Sequence, residues 1–412
     1  MQMLALIWIK ANHNDNSLEE IMTVQPGEVQ CTALEKVIFG YPAATAIRSE
    51  AERLGARRVF LLVSRSLEEQ TDEIVRIREA LGDLFAGSFS GIPSHAPRSS
   101  VLAAAARASE VDADLIVTVG GGSVTDAGKI MPICMKHGLK EHDDMEPYHM
   151  SVESDGSLHF PAFDAPDVRV VSVPTTLSGG EFNPLAGATD EAKKLKQGYL
   201  HRLLVPVSVI LDPSLTRHTP EWLWLSTGVR ALDHAMETLG SPYSNDFCDG
   251  MAASAIRLLR DGLSRVKRDP GDMEGRLRCQ TGVWQSMLPV VGGVPMGASH
   301  AIGHVLGGTC DVPHGYTSCV MAPVVLAFNK PVNGERQTLI SEAFGEPDRD
   351  AGELAAAFIR DLGMPRTLGE VGVTEADLQQ VAEYTMEDLW ARTNPRTIKG
   401  PEDVMEILKG AV

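Results

Sequence analysis

No two of the six cysteines, Cys31, Cys134, Cys248, Cys279, Cys310 and Cys319, form a CxxC pair or stand at a spacing usual for zinc. That excludes a zinc ribbon and a dithiol redox motif, and it fits reduced thiols in a cytoplasmic protein. Runs of Lys or Arg long enough to make a basic patch are also missing. With 37 Lys plus Arg against 55 Asp plus Glu, the formal net charge is −18. Such a chain repels nucleic acid and anionic membrane, so neither is expected as a partner. The apolar run MLALIWI at the N-terminus is too short to cross a bilayer and has neither a basic leader nor a small-residue cleavage site, so a soluble protein is expected. There are no internal repeats and no low-complexity tracts. What remains is the composition of an ordinary enzyme, and 412 residues are enough for two domains with a core each.

The polar stretch ANHNDNSLEE (residues 11–20) reads as part of an extension covering residues 1–36. From about Val37 short β-branched runs alternate with helical stretches: KVIFG, AIRSEAERLG, RRVFLLVS, a helix across EEQTDEIVRIREALG, a helix through SVLAAAARASEVD, then LIVTVGGG. This rhythm predicts a parallel sheet covered by helices on both faces. RVVSVPTT and VSVILDPSLT add two strands, after which ALDHAMETLG, FCDGMAASAIRLLRDGLSRV and DAGELAAAFIRDLG are long and helical. The reading is therefore an α/β dinucleotide-binding domain at 37–214, followed by an all-α domain at 215–412 that carries the substrate or metal site. Trp222, Trp224, Trp284 and Met287 in the second domain are core or pocket positions.

DLIVTVGGGSVTDAGKI runs a buried strand into Gly120, Gly121, Gly122 and Ser123 and then into a helix with Asp126 and Lys129. Consecutive glycines let backbone amides approach a ligand, and a helix N-terminus favours a pyrophosphate. The segment is neither GxGxxG nor a P-loop, and a structural tight turn would read alike. PTTLSGGEFNP follows another strand and offers Thr175, Thr176, Ser178 and Asn183 to ribose and phosphate oxygens. Both loops are expected at the carboxyl ends of parallel strands, where open α/β sheets bind ligands. Lys193 completes the candidate cofactor contacts.

In the helical half, Arg230 and His234 are four apart and share a helix face. GASHAIGHVLGGTCDVPHGYTS supplies His300 and His304 at the same spacing, then His314 after Pro313. Histidines so grouped serve as metal ligands or proton shuttles, or as satisfied structural residues.

GGGSVTDAGK, PTTLSGGE, ALDHAMETL, SHAIGHVLGG and VPHG, in this order, resemble the iron-containing alcohol dehydrogenase family, whose fold is shared with dehydroquinate synthase. The likeness runs from about Val37 to Arg396. Within the family the chain is most similar to the maleylacetate reductase branch, through four residues between PTT and Glu181, HVLGGTCDVPH with VLAFN, and TNPRTI at 393–398. The resemblance implies a homodimer, NAD(P)H as cofactor, and a metal, iron or zinc, on an aspartate at position 230 with His234, His300 and His314. It places His304 beside the substrate in proton relay. Arg230 departs from that pattern, because a permanent cation does not ligate and repels a divalent ion. Asp233, about 100° around the helix from His234, is expected to be a poor substitute ligand.

Arg230, His234, His300 and His314 are accordingly expected to bind an anionic small-molecule substrate, with Arg230 stabilising charge and His304 or His234 donating the proton. Arg65, after VFLLVS where NAD-preferring members carry an Asp, either accepts a 2′-phosphate or is a surface residue. Three classes stay open: a metal-independent oxo-acid or enoate reductase, a metal-dependent alcohol dehydrogenase on the three histidines, and a non-redox lyase or binding module on the same scaffold.

Overall fold

Six short runs, most of them rich in Val, Ile and Leu, lie side by side in the computed structural model, which describes residues 27–152 and 157–412. MLALIWI and ANHNDNSLEE lie outside the described residues. In chain order the strands are β1 (Lys36–Phe39), β2 (Val59–Val63), β3 (Phe85–Ser90), β4 (Leu115–Gly120), β5 (Ser151–Val152), β6 (Leu158–His159), β7 (Arg169–Pro174), β8 (Leu185–Asp190), β9 (Leu195–Leu200) and β10 (Ser208–Leu211). A parallel sheet takes six of them in the order β1-β10-β7-β4-β2-β3, while β5 with β6 and β8 with β9 form antiparallel pairs.

The described chain divides into two units, residues 32–219 and 220–412, with 27–31 going with the second. In the first, alternate residues of one strand enter different cores. Val59, Leu61 and Val63 pack with the helices Ala43–Arg53 and Glu73–Leu81, whereas Phe60 and Leu62 pack with Arg98–Glu110 and Gly122–His137. Burial on both faces is why β2 and β4 read as unbroken apolar runs. The chain leaves β2 to β3 on one side and reaches β4 on the other, which makes the carboxyl ends of β2 and β4 the topological switch point.

Three details differ from the sequence reading. EEQTDEIVRIREALG is not one helix: Arg65–Gln70 and Glu73–Leu81 are separated at Thr71, whose extended backbone is stabilised as its hydroxyl donates to the Leu67 carbonyl and accepts from the Glu73 amide. The β8–β9 hairpin was not anticipated, because LAGATD and LKQGYL carry little β-branched signal. Leu215, expected to open the helical domain, is buried in the core of the α/β unit.

The second unit is helical throughout its regular structure. Its long members are Glu221–Gly240, Asp246–Arg268, Met273–Val291, Ala298–Thr309 and His314–Ala343, the last kinked at Asn333. Trp224 and Met287 are core residues, and the Arg276 guanidinium lies 4.9 Å over the Trp224 ring. Trp222 instead is 44% exposed and faces Tyr316. No helix among the described residues is long and apolar enough to cross a membrane.

Candidate active site

The cradle in the first unit forms where three strands end together. The Ser64 amide donates to the Val119 carbonyl and the Thr175 amide to the Gly120 carbonyl, each at 2.9 Å, which aligns the loops after β2, β4 and β7. A Cβ on Gly121 would stand 3.1 Å from Thr176 Cγ2, and one on Gly122 would stand 3.2 Å from Ser178 Oγ. The two loops thus face each other across bare backbone, at the N-terminus of the helix Gly122–His137, whose first amides lack helical partners. Ser123 is also engaged in positioning: its hydroxyl accepts from the His95 amide at 3.1 Å, in a left-handed turn (φ 64) after β3. Such a cradle fits the pyrophosphate of a dinucleotide.

Lys129 locks the second loop to the first. Its buried ammonium donates to the carbonyls of Gly180 (2.8 Å), Asn183 (2.9 Å) and Leu185. Burial lowers its pKa to about 8 and raises that of the neighbouring buried Glu181 to about 7. Asn183 uses its side-chain oxygen on the Leu185 amide. Lys193 sits in the β8–β9 turn with its ammonium on Glu146 (2.8 Å) and Asp190 (3.4 Å), so its charge is already paired. Lys196, absent from the sequence reading, stands 3.1 Å from Asp126 on the glycine-loop helix instead. Only the hairpin register separates these two lysines, and no local signal in TDEAKKLK reveals it. Arg65 is exposed just beyond β2, and its guanidinium lies flat on Gly91, where a Cβ would come within 2.6 Å of Nη2 and φ is +88°.

In the second unit the four histidines line up. The His234 and His300 rings stack at 4.5 Å between centroids, His300 and His304 are edge-on at 6.5 Å, and His304 and His314 are 6.2 Å apart. Arg230, one turn before His234, points its Nη1 at the His314 carbonyl, 3.5 Å away. Among the described residues no carboxylate lies within ion-pair distance of it. Burial, followed by the nearby cationic groups, pushes His234 and His300 well below the ordinary histidine range, so both are neutral at physiological pH.

Behind His300 lies an acidic pair. Glu237 accepts from His300 Nδ1 (2.7 Å) and from the amides of Gly297 (3.0 Å) and Ser299 (2.9 Å). Asp233 accepts from Ser299 Oγ (2.7 Å) and stands 3.6 Å from His300 Nδ1. Burial raises both carboxyls above the usual range, and the Glu237 charge adds to the rise at Asp233, while the Gly297 and Ser299 amides partly offset it at Glu237. Asp233, expected to be a poor substitute ligand because it does not share His234's face, is met instead by His300, which the helix Ala298–Thr309 brings to it. With His300 Nδ1 committed to the acids, Nε2 faces away from them, buried and without a hydrogen-bond partner among the described residues, as is His234 Nδ1.

His234, His300 and His314 are the residues that the resemblance implies for a metal, and Arg230 stands beside them as a cation that does not ligate. Among the described residues, the one group of three or more His, Cys, Asp or Glu whose ligand atoms all lie within 4.8 Å is Asp233, Glu237 and His300. The position of the anionic ligand holds the guanidinium of Arg230. Asp388 was also missed from sequence: its Oδ2 lies 2.9 Å from His304 Nδ1, and the two are 84 residues apart in the chain.

An open parallel sheet with a phosphate cradle at its switch point, and a helical unit bearing an imidazole cluster, define a dinucleotide-dependent dehydrogenase. The model of "Iron-containing alcohol dehydrogenase" matches residues 35–213 and that of "Fe-containing alcohol dehydrogenase family, C-terminal" residues 224–412. The chain belongs to the iron-containing alcohol dehydrogenase family and is an NAD(P)-dependent oxidoreductase. It is 33% identical to a dehydrogenase of Alternaria alternata over 87% of this chain and 99% of the other. It is 32% identical to maleylacetate reductase 2 of Cupriavidus pinatubonensis, covering 91% and 94%. The crystal structure of maleylacetate reductase from Agrobacterium tumefaciens superposes with a TM-score of 0.78 at 26% identity, covering 94% and 98%.

Proposed function

We propose that the chain reduces an oxo or unsaturated carboxylic acid, in the manner of the maleylacetate reductases it resembles, without a resident metal. The observation that carries this reading is Arg230, a cation at the head of a row of imidazoles where the resemblance requires a carboxylate. A planar guanidinium holds a carboxylate or an enolate through paired hydrogen bonds, and it stabilises negative charge developing on a conjugated oxygen. His234 and His300, held neutral, add hydrogen bonds without adding charge. NAD(P)H, held by residues 120–123 and the facing loop with Thr175, Thr176 and Ser178, supplies a hydride when bound. His304, 39% exposed, returns a proton to the product and recharges from solvent. His234 is buried and cannot readily recharge, so the structure favours His304 of the two donors.

The test is nicotinamide oxidation with a panel of oxo acids and simple aldehydes, alongside elemental analysis of the active enzyme. Turnover confined to the acids, with no stoichiometric metal, supports the reading. One specific observation favours the alternative of a metal-dependent alcohol dehydrogenase: the convergence of Asp233, Glu237 and His300 within 4.8 Å. One tightly held metal per chain, with activity abolished by a chelator, would establish that alternative.

For the cofactor, we propose that Arg65, held in place by Gly91, takes a 2′-phosphate. Arg65→Ala is expected to weaken NADPH about tenfold or more while leaving NADH unchanged, as removal of one charge-assisted contact would. Equal dissociation constants for the two cofactors before and after the substitution would count against it.

A further inference from the structure

We propose that Asp388 and His304 form a carboxylate–imidazole dyad, in which Asp388 is the positioning residue that makes His304 Nε2 the proton-delivering atom of this reductase. The inference rests on the reading above that His304 returns the proton. A loose surface ion pair would leave the imidazole free to turn, whereas here both partners are held. Asp388 Oδ1 accepts from the Trp390 amide at 2.9 Å, which leaves Oδ2 for His304 Nδ1 at 2.9 Å. The chain that follows is fastened to the histidine helix. Thr393 Oγ1 donates to the Met296 carbonyl at 2.6 Å, and Asn394 Oδ1 accepts from the Ala298 amide at 3.1 Å. Asn394 and Asn329 also exchange side-chain hydrogen bonds of 2.7 and 3.0 Å. The segment that carries Asp388 therefore sets the N-terminus of the helix that carries His304.

Among the described residues, the ionisable groups around His304 include His300 on the same helix, His314 on the next, and His234 and Glu237 on the helix Glu221–Gly240. Asp388 is the carboxylate in hydrogen-bond contact with His304. With Nδ1–H committed to it, the imidazolium releases its proton from Nε2. The hydride adds to carbon, the Nε2 proton goes to the reduced substrate, and neutral His304 remains with its Nδ1–H on Asp388. Solvent then supplies the next proton. This is the division of labour by which a buried carboxylate fixes the tautomer of a catalytic histidine.

Asp388→Asn tests it. The amide keeps the oxygen that caps Trp390 but offers N–H where Oδ2 accepted, so His304 is driven to the other tautomer. The expected result is a fall in kcat of about 100-fold or more. KM and the NAD(P)H dissociation constant should stay within about threefold, and the solvent deuterium isotope effect on kcat should rise. Asp388→Glu, which retains the carboxylate, is expected to recover at least about tenfold of that loss. A kcat for Asp388→Asn within about threefold of the parent overturns the dyad, as does a loss shared equally by KM and cofactor affinity, which marks a structural role. Nitrogen-15 NMR of histidine-labelled enzyme reads the tautomer without substrate: Nδ1 of His304 is expected to be protonated in the parent and unprotonated in Asp388→Asn. If that shift is seen and no oxo acid is reduced, the functional reading fails and the dyad stands. If His304 has no Nδ1 proton in the parent, the dyad fails alone.

Discussion

Arg230→Asp is expected to lower kcat/KM for the native acid by about 10³-fold, and to raise affinity for a divalent metal at the same time. The first effect follows from removing the one guanidinium at the head of the imidazole row; loss of a preorganised charge on a developing oxyanion typically costs about 10²–10³ in rate. Reversing the sign adds repulsion toward an anionic substrate. The second effect follows from the donor set: three imidazoles, of which His234 and His300 are kept neutral by burial, plus one carboxylate match a tetrahedral zinc site. The variant also places a third acid near Asp233 and Glu237, whose ionisation Arg230 now eases, and this can unsettle the fold. Arg230→Asn separates the causes, since it should lose turnover without gaining metal affinity. Isothermal titration with zinc and steady-state kinetics on the three proteins decide the matter. Unchanged zinc affinity in Arg230→Asp, or retained turnover in both variants, would falsify the assignment of Arg230 to the substrate.

Glu237→Ala is expected to destabilise the helical unit by about 3–5 kcal/mol, the cost of breaking a buried hydrogen-bonded charge cluster. The substitution strands the Gly297 and Ser299 amides and His300 Nδ1, all of which now donate to that carboxylate. The same pair predicts how stability depends on pH. Asp233 and Glu237 have folded-state pKa values above their unfolded values, both because of burial and, for Asp233, also because of the Glu237 charge. Below the ordinary carboxylate range both states hold these protons, and the contribution is fully present. As pH rises through that range and on through neutrality, the unfolded chain releases protons that the native state retains, and the contribution is lost. His234 and His300, depressed by burial, contribute with the opposite sign over the same interval, so the acid pair is read by difference. Urea denaturation should show the stability of the parent relative to Asp233→Asn falling from mildly acidic to mildly alkaline pH by an amount on the order of a few kcal/mol. A difference that stays level or rises over this interval would contradict the assignment.

Much of the fold was legible because it is written in short-range pattern. The apolar runs of β2 and β4 are nearly continuous because both faces are covered, and KVIFG, RVVSVPTT and VSVILDPSLT stand at strand spacing between helical periods. The glycine loop was legible for a similar reason: Gly121 and Gly122 face Thr176 and Ser178 at distances where an added Cβ would force its neighbours to give way. The β8–β9 hairpin was not, since small and polar residues in LAGATD and LKQGYL carry weak strand preference. The partners of Lys193 and Lys196 are set by the hairpin register, which a lysine-rich turn does not reveal in sequence.

The amino-acid sequence by itself determined the two-part architecture, the position of the cradle, the i, i+4 pairs Arg230/His234 and His300/His304, and the replacement of an expected anionic ligand by a cation. All of these depend on residue identity and local period. Only the tertiary structure decided which groups act on them. Asp388 meets His304, Glu237 and Asp233 meet His300, and Lys129 ties the two cofactor loops together, across 84, 63 to 67 and 51 to 56 residues respectively. Contacts of that range follow from how the helices and loops pack, and nothing in the local spacing of their residues encodes them.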